Sequence, residues 1–262
     1  MTTALLILAV VFTALMMFGV PVSFSIGIAT LLALFTVTPT PNTALIVSAQ
    51  RVASSLDSFT LVAIPLFILA GGLMNTGGIA MRLIDLAKVL VGWLPGSLAQ
   101  ISVVANALFG AISGSAVASA ASVGATLSPL QRQAGYNMPI CAAANVASSP
   151  CGLLIPPSGA LIVYSLISGG TPVDVLFVAG YIPGILMAGS VMVWLAIIAR
   201  RGELPTDVRR YSMNEAAHIF WRALPALAMI AIIMGGIVGG IFTATAAAGV
   251  AALYTLVLGL LY

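Results

Sequence analysis

Apolar residues run along this chain in long blocks that no charged side chain interrupts, and the blocks break at glycine, proline or short polar clusters. Charge-free stretches cover residues 1–50, 89–131, 133–173 and 223–262, each longer than the roughly 20 residues that cross a bilayer as a helix. The pattern predicts apolar spans at Thr3–Phe18, Pro21–Val37, Phe59–Asn75, Asn137–Ser168, Ile182–Arg200, Arg222–Gly240 and Ala244–Leu261. Two amphipathic pieces lie between them. Asn42–Asp57 carries Arg51 and Asp57, and Ile79–Trp93 carries Arg82, Asp85 and Lys88; both read as helices lying in the membrane interface. Residues Arg201–Trp221, with Asp207, Arg209, Arg210, Glu215 and His218, form the one hydrophilic segment and read as a cytoplasmic connection exposed to solvent.

Composition narrows the class. Of 262 residues, 61% are hydrophobic and 6% are charged, against about 25% charged in a soluble domain. The chain is therefore expected to be an all-α polytopic membrane protein whose first partner is the lipid bilayer. The net charge of +3 comes from basic residues gathered in a few connections, so it reports orientation in the membrane and gives no sign of nucleic-acid binding. If Gly96–Ser128 enters and leaves on one side as a re-entrant hairpin, eight of the nine basic residues face that side and only Arg51 lies opposite. A single crossing there gives seven to two, so the positive-inside rule favours the hairpin slightly. With the hairpin, Thr3–Phe18 runs inward and Arg222–Gly240 runs outward. Each is followed by a glycine-rich turn and a second apolar helix, the outline of a second, inverted repeat.

Cys141 and Cys151 sit in apolar sequence without a second pair or a nearby histidine, and read as small packing residues. One histidine, no C-x-x-C, no phosphate-binding G-x-x-x-x-G-K-[ST] and no G-x-S-x-G argue against an enzyme and against ATP hydrolysis by this chain.

Two segments carry the candidate chemistry. From Gly110 to Thr126, 14 of 17 residues are Gly, Ala, Ser or Thr. That composition suits a close helix-packing face, but its Ser113-Gly114-Ser115 centre also permits a helix break inside the membrane, which leaves backbone groups to be met by a partner or a lined cavity. The second segment, Ala147–Gly159, holds Pro150, Pro156 and Pro157 with Gly152, Gly159, Ser148, Ser149 and Ser158. A proline kink is the simpler reading. Three prolines and two glycines in so short a stretch point further, to an unwound segment lining a site. Carbonyl and hydroxyl oxygens from two such breaks suit a hard cation such as sodium. No predicted span has Asp, Glu, His or Lys at its centre, so cation binding by neutral oxygens is favoured over a proton relay.

At these residues the chain resembles the DctM-like large membrane subunit of tripartite ATP-independent periplasmic (TRAP) transporters. The matching stretches are LFGAISGSAVASAASVG (108–124), SPLQRQAGY (128–136) and CGLLIPPSGA (151–160), with the opening GVPVSF and the later GGIFTAT. The resemblance implies two inverted repeats, each with a re-entrant hairpin and a broken helix, working as a sodium-driven elevator in the bacterial inner membrane. It implies two partners, a small four-helix membrane subunit and a periplasmic substrate-binding protein, and uptake of organic acids such as dicarboxylates or sialic acids. It places Ser113, Gly114 and Ser115 at the hairpin tip and Ser149, Gly152, Pro156, Pro157 and Ser158 at the matching break. Together they would build one sodium site, at Ser113, Ser115, Ser149 and Gly152, and half of a substrate site; sodium is the coupling ion and no other cofactor is implied.

On that resemblance, residues 1–200 make the first repeat, 201–221 a connection and 222–262 the first two spans of the second repeat, so the chain reads as truncated. Ala246 also stands where the family pattern has a glutamate. Two other functions fit the sequence: a stand-alone sodium–carboxylate symporter of similar design, and a non-transporting assembly partner.

Overall fold

A computed structural model describes residues 2–57, 59–168, 171–205, 208 and 211–261, and for residues 75, 76 and 80 the backbone only. The described residues contain helices and no strand. They fall into two compact units, Met1–Ser58 and Phe59–Tyr262.

In the first unit α1 (Thr2–Met17) and α2 (Val22–Phe35) form a hairpin, followed by α3 (Pro41–Leu56). The turn needs Gly19, whose φ of +78° lies in the left-handed region that side chains disfavour. One stripe of α2, Ser25, Ala29 and Ala33, is buried, and its small residues let α1 lie close. Large apolar side chains such as Leu5, Leu6, Val10 and Phe24 point outward, as a lipid-facing surface requires.

The second unit begins with a 3-10 turn (Phe59–Val62) and continues through α4 (Ala63–Thr76), α5 (Ile79–Val91), α6 (Ser97–Ser113), α7 (Ala116–Gln133), α8 (Met138–Ser148), α9 (Cys151–Leu154), α10 (Gly159–Ile167), α11 (Val173–Arg200), α12 (Met213–Val238) and α13 (Ala244–Leu261). Helix α13 packs along α4. Ala244, Ala247, Ala248 and Ala251 line its buried side, against Ala63, Phe67, Ala70 and Met74, and Gly77 lies against the Gly259 backbone. Helix α5 packs on α12, where Arg82 donates to the Arg222 carbonyl at 3.3 Å. Tyr254 of α13 donates to the Pro225 carbonyl of α12 at 2.9 Å.

Among the described residues three helices, α11, α12 and α13, are individually long and apolar enough to cross a membrane. At 1.5 Å per residue, the 28 residues of α11 reach roughly 42 Å, beyond the roughly 30 Å hydrocarbon core. Met138–Leu154 and Gly159–Ile167 pass the same test together, bent by 52° at the break, as a broken span or a re-entrant loop, within the range Asn137–Ser168 that the sequence reads as interrupted.

Several element ends differ from the sequence pattern. Helix α11 starts at Val173, not Ile182, because it runs through Pro183; a proline removes one donor without ending a helix that neighbours hold in place. Helix α7 likewise runs through Pro129 to Gln133, past the expected end at Ser128. The connection expected over 201–221 is shorter. A capping box, with Glu215 N–H donating to Ser212 Oγ at 3.3 Å and Ser212 N–H donating to the Glu215 carboxylate at 2.9 Å, starts α12 at Met213. Glu215, His218 and Trp221 are therefore helical, while Asp207, Arg209 and Arg210 lie outside the described residues.

Two outcomes test this packing by thermal melts of the solubilised protein. A Cβ on Gly180 would run into the Leu154 carbonyl, whereas one on Gly189 would meet nothing within 4 Å. Gly180→Ala is expected to cost about 1–3 kcal/mol and Gly189→Ala to be neutral or stabilising by up to about 1 kcal/mol. Ala246 occupies the third position of α13, and its N–H donates to Thr243 Oγ1 at 3.3 Å. Ala246→Glu would complete a second capping box there and is expected to raise stability by about 0.5–1 kcal/mol.

Candidate functional site

Helices α6 and α7 run antiparallel. Gln131 Nε2 donates to Ser102 Oγ at 3.0 Å and Ser119 Oγ to Asn106 Oδ1 at 2.7 Å, so residues nearer the turn on one helix meet residues nearer the turn on the other. The chain reverses at Gly114, which caps α6 with φ +61°, and Ser115, whose hydroxyl accepts the Ala118 N–H at 3.3 Å and starts α7. The break between α9 and α10 is built in the same way. Ile155 and Ser158 are extended, and Ser158 Oγ accepts the Leu161 N–H at 3.4 Å to start α10. The unwound part is thus Ile155–Ser158, narrower than the 147–159 suggested by the prolines, since Cys151–Leu154 still makes one helical turn.

Two glycines bring these pieces together. A Cβ on Gly110 would lie 2.5 Å from Gly152 Cα, a separation only two glycines tolerate. At the tip, a Cβ on Gly114 would lie 3.3 Å from Gly159 N and 4.0 Å from the Pro157 carbonyl. Across from the tip, Gly71 of α4 lies directly against Ser113, its Cβ position 2.8 Å from Ser113 Cα.

A cavity of about 480 Å³ opens between these surfaces. Ser113, Gly114, Ser115 and Ala118 line one side and Gly159, Ala160 and Val163 another, while Ile64, Phe67, Ile68, Gly71 and Gly72 of α4 make an apolar wall. None of the lining residues is charged. The N-terminal turns of α7 and α10 border this cavity, and helix N-termini offer free N–H groups and a positive partial charge to an anion. The C-terminal turns of α6 and α9 bring carbonyl oxygens toward the same junction, the complement suited to a hard cation.

Of the residues singled out from sequence, Ser113, Gly114 and Ser115 line the cavity. Pro157 and Ser158 adjoin it through the Gly114 contact and the α10 cap, and Pro156 precedes them across a cis peptide bond. Gly152 lies beneath, on Gly110. Ser149 stands apart from the cavity, its hydroxyl donating to the Val146 carbonyl of its own helix at 3.0 Å. Sequence reasoning missed the α4 wall and a buried amide network behind the tip. In it Asn106 Nδ2 donates to the Asn145 carbonyl at 3.0 Å, Asn145 Oδ1 at 2.9 Å and Ser148 Oγ at 2.8 Å. The signal was present, since Asn106 and Asn145 are amides well inside charge-free stretches, where a polar side chain is costly without a partner.

Residues 9–262 match the family described as tripartite ATP-independent periplasmic transporter, DctM component. The chain belongs to this family. It is 51% identical over 251 residues to the uncharacterized protein YgiK of Salmonella typhimurium, covering 96% of this chain and 57% of that one. It is 38% identical over 261 residues to the sialic acid TRAP transporter permease protein SiaT of Haemophilus influenzae, covering 98% and 41%. It is 34% identical over 254 residues to the C4-dicarboxylate TRAP transporter large permease protein DctM of Rhodobacter capsulatus, covering 92% and 57%. The chain spans about half the length of the curated relatives it matches. Named relatives in this DctM family are transporter permease subunits, not enzymes, and the apolar helices make this chain a multi-pass membrane protein.

The contact between the two breaks generates a stability prediction. Gly152→Ala must push α9 away from Gly110 and is expected to cost about 1–3 kcal/mol. Ser158→Ala, which removes only the α10 cap, is expected to cost about 1 kcal/mol; chemical or thermal denaturation in detergent measures both.

Proposed function

We propose that this chain supplies the permease part of a TRAP transporter that imports an organic acid together with sodium across the bacterial inner membrane. The reading rests above all on one observation: a helical hairpin tip at Ser113–Ser115 and an interrupted helix at Ile155–Ser158 meet beside one uncharged cavity. Broken helices with ends facing a cavity are how secondary transporters build midplane sites. The N–H ends of α7 and α10 would receive a carboxylate, and carbonyl and hydroxyl oxygens around Ser113, Ser115 and Gly152 would hold sodium. The apolar α4 wall would face the carbon skeleton of the substrate.

The named relatives include permeases for sialic acid and for C4-dicarboxylates, both classes carrying carboxylates, which fits an N–H-rich pole without a fixed cation. A periplasmic binding protein and a small membrane subunit are the proposed partners. Motion of the hairpin against α4, as an elevator, is the proposed mechanism; the small residues at their contact, Gly71 and Ser113, present little bulk to obstruct sliding.

The test is uptake by the complete transporter in liposomes. Ser113→Ala with Ser115→Ala is expected to raise the sodium concentration for half-maximal uptake by about tenfold or more while membrane insertion is unchanged. An unmoved sodium titration would remove these residues from the site. Uptake that proceeds equally well without added binding protein would instead favour a stand-alone symporter.

A further inference from the structure

We propose that Asn106 and Asn145 are positioning residues that hold the hairpin tip and the helix break in register, and so set the ion affinity of the site between them. This rests on the sodium reading above.

Asn106 is fully buried, as are Ser119 and Ser148. Its amide nitrogen reaches the carbonyl and side chain of Asn145 and the hydroxyl of Ser148, at 2.8–3.0 Å. Its amide oxygen accepts from Ser119 Oγ at 2.7 Å, and the same hydroxyl lies 3.2 Å from the Asn106 carbonyl. Asn145 Nδ2 in turn donates to the Ala120 carbonyl at 2.8 Å. Space for that amide exists because α7 has glycine beside it: a Cβ on Gly124 would lie 2.9 Å from Asn145 Nδ2. One knot of amides therefore joins three helices, both legs of the hairpin and the end of α8.

Its place along each helix carries the argument. Asn106 precedes Ser113 at the hairpin tip by seven residues, about two helical turns or roughly 10 Å, and its carbonyl lies 3.0 Å from the Cβ position of Gly152. The knot is thus a pivot about two turns below the hairpin tip, beside the Gly110–Gly152 contact. A tilt of about 6° at the pivot displaces an end roughly 10 Å away by about 1 Å, and a binding constellation must be held within about 0.5 Å. Packing alone tolerates such tilts, since apolar contacts are not directional. A fully satisfied buried amide network is directional, and fixes one arrangement.

The experiment compares sodium titrations in the complete transporter for the unaltered protein, Asn106→Ala and Gly124→Ala. Uptake and sodium-induced thermal stabilisation relative to choline are both read. Gln131→Leu serves as the comparison for general loosening: it breaks a second buried bond on the same hairpin, Gln131 Nε2 to Ser102 Oγ at 3.0 Å, further from the tip. Asn106→Ala is expected to raise the half-saturating sodium concentration by about 10-fold to 100-fold. Gly124→Ala, which removes no hydrogen-bonding group but displaces Asn145, is expected to shift it in the same direction even if Asn106→Ala fails to insert. Gln131→Leu is expected to lower the melting temperature and leave the sodium midpoint in place. Unmoved midpoints in the Asn106 and Gly124 variants, or equal shifts in all three, overturn the positioning role while leaving sodium coupling intact. Absence of sodium dependence in the unaltered transporter overturns the sodium reading and this inference with it.

Discussion

At Gly110 and Gly152 two backbones meet with no side chain between them, and the remainder of the second unit is arranged around that approach. A helix interrupted inside hydrocarbon exposes N–H and C=O groups that lipid cannot satisfy. The ends of α6, α7, α9 and α10 must therefore be buried in protein, facing one another or lining a polar cavity. Glycine at both contact points brings the two breaks close enough to shelter each other, and serine caps at Ser115 and Ser158 satisfy the first turns that follow. Helix α11 seals the outer side: Gly180 and Gly184 let it lie on Leu154 and Ile155.

The chemistry of burial is inverted relative to a soluble domain. Leucine, isoleucine, valine and phenylalanine cover much of the outside, while alanine dominates the α4–α13 contact and serine and asparagine are buried within the hairpin. In lipid the apolar effect gives no reason for large side chains to turn inward, so close approach and hydrogen bonds decide which faces pack. The same physics disfavours a charged side chain in the cavity, since it would itself have to be desolvated.

The relatives add a constraint of another kind. Permeases named for sialic acid and for C4-dicarboxylates are similar to this chain along nearly its whole length. The match of residues 9–262 to one family covers the α12–α13 pair as well as the hairpin, and those two helices pack on α5 and α4 within the same unit.

The sequence by itself determined the solvent, the helical class and the places where helices break. Charge-free runs longer than a bilayer permit little else, and Ser-Gly-Ser and Pro-Pro-Ser bring together a glycine or two successive prolines with a serine that can cap the next helix. The start of α12 was also locally encoded, in Ser212-Met213-Asn214-Glu215, although the surrounding polar residues disguised it as a loop. Proline misled at Pro183 and Pro129, because whether an internal proline ends a helix depends on what packs against it. Only the tertiary structure decided which break faces which, that α4 forms the wall of the cavity, that Ser149 stands aside from it, and that Asn106 and Asn145 bond each other. Those facts depend on contacts across some 40 residues or more, and the spacing of small and polar residues along one helix does not say which face of another helix will meet it.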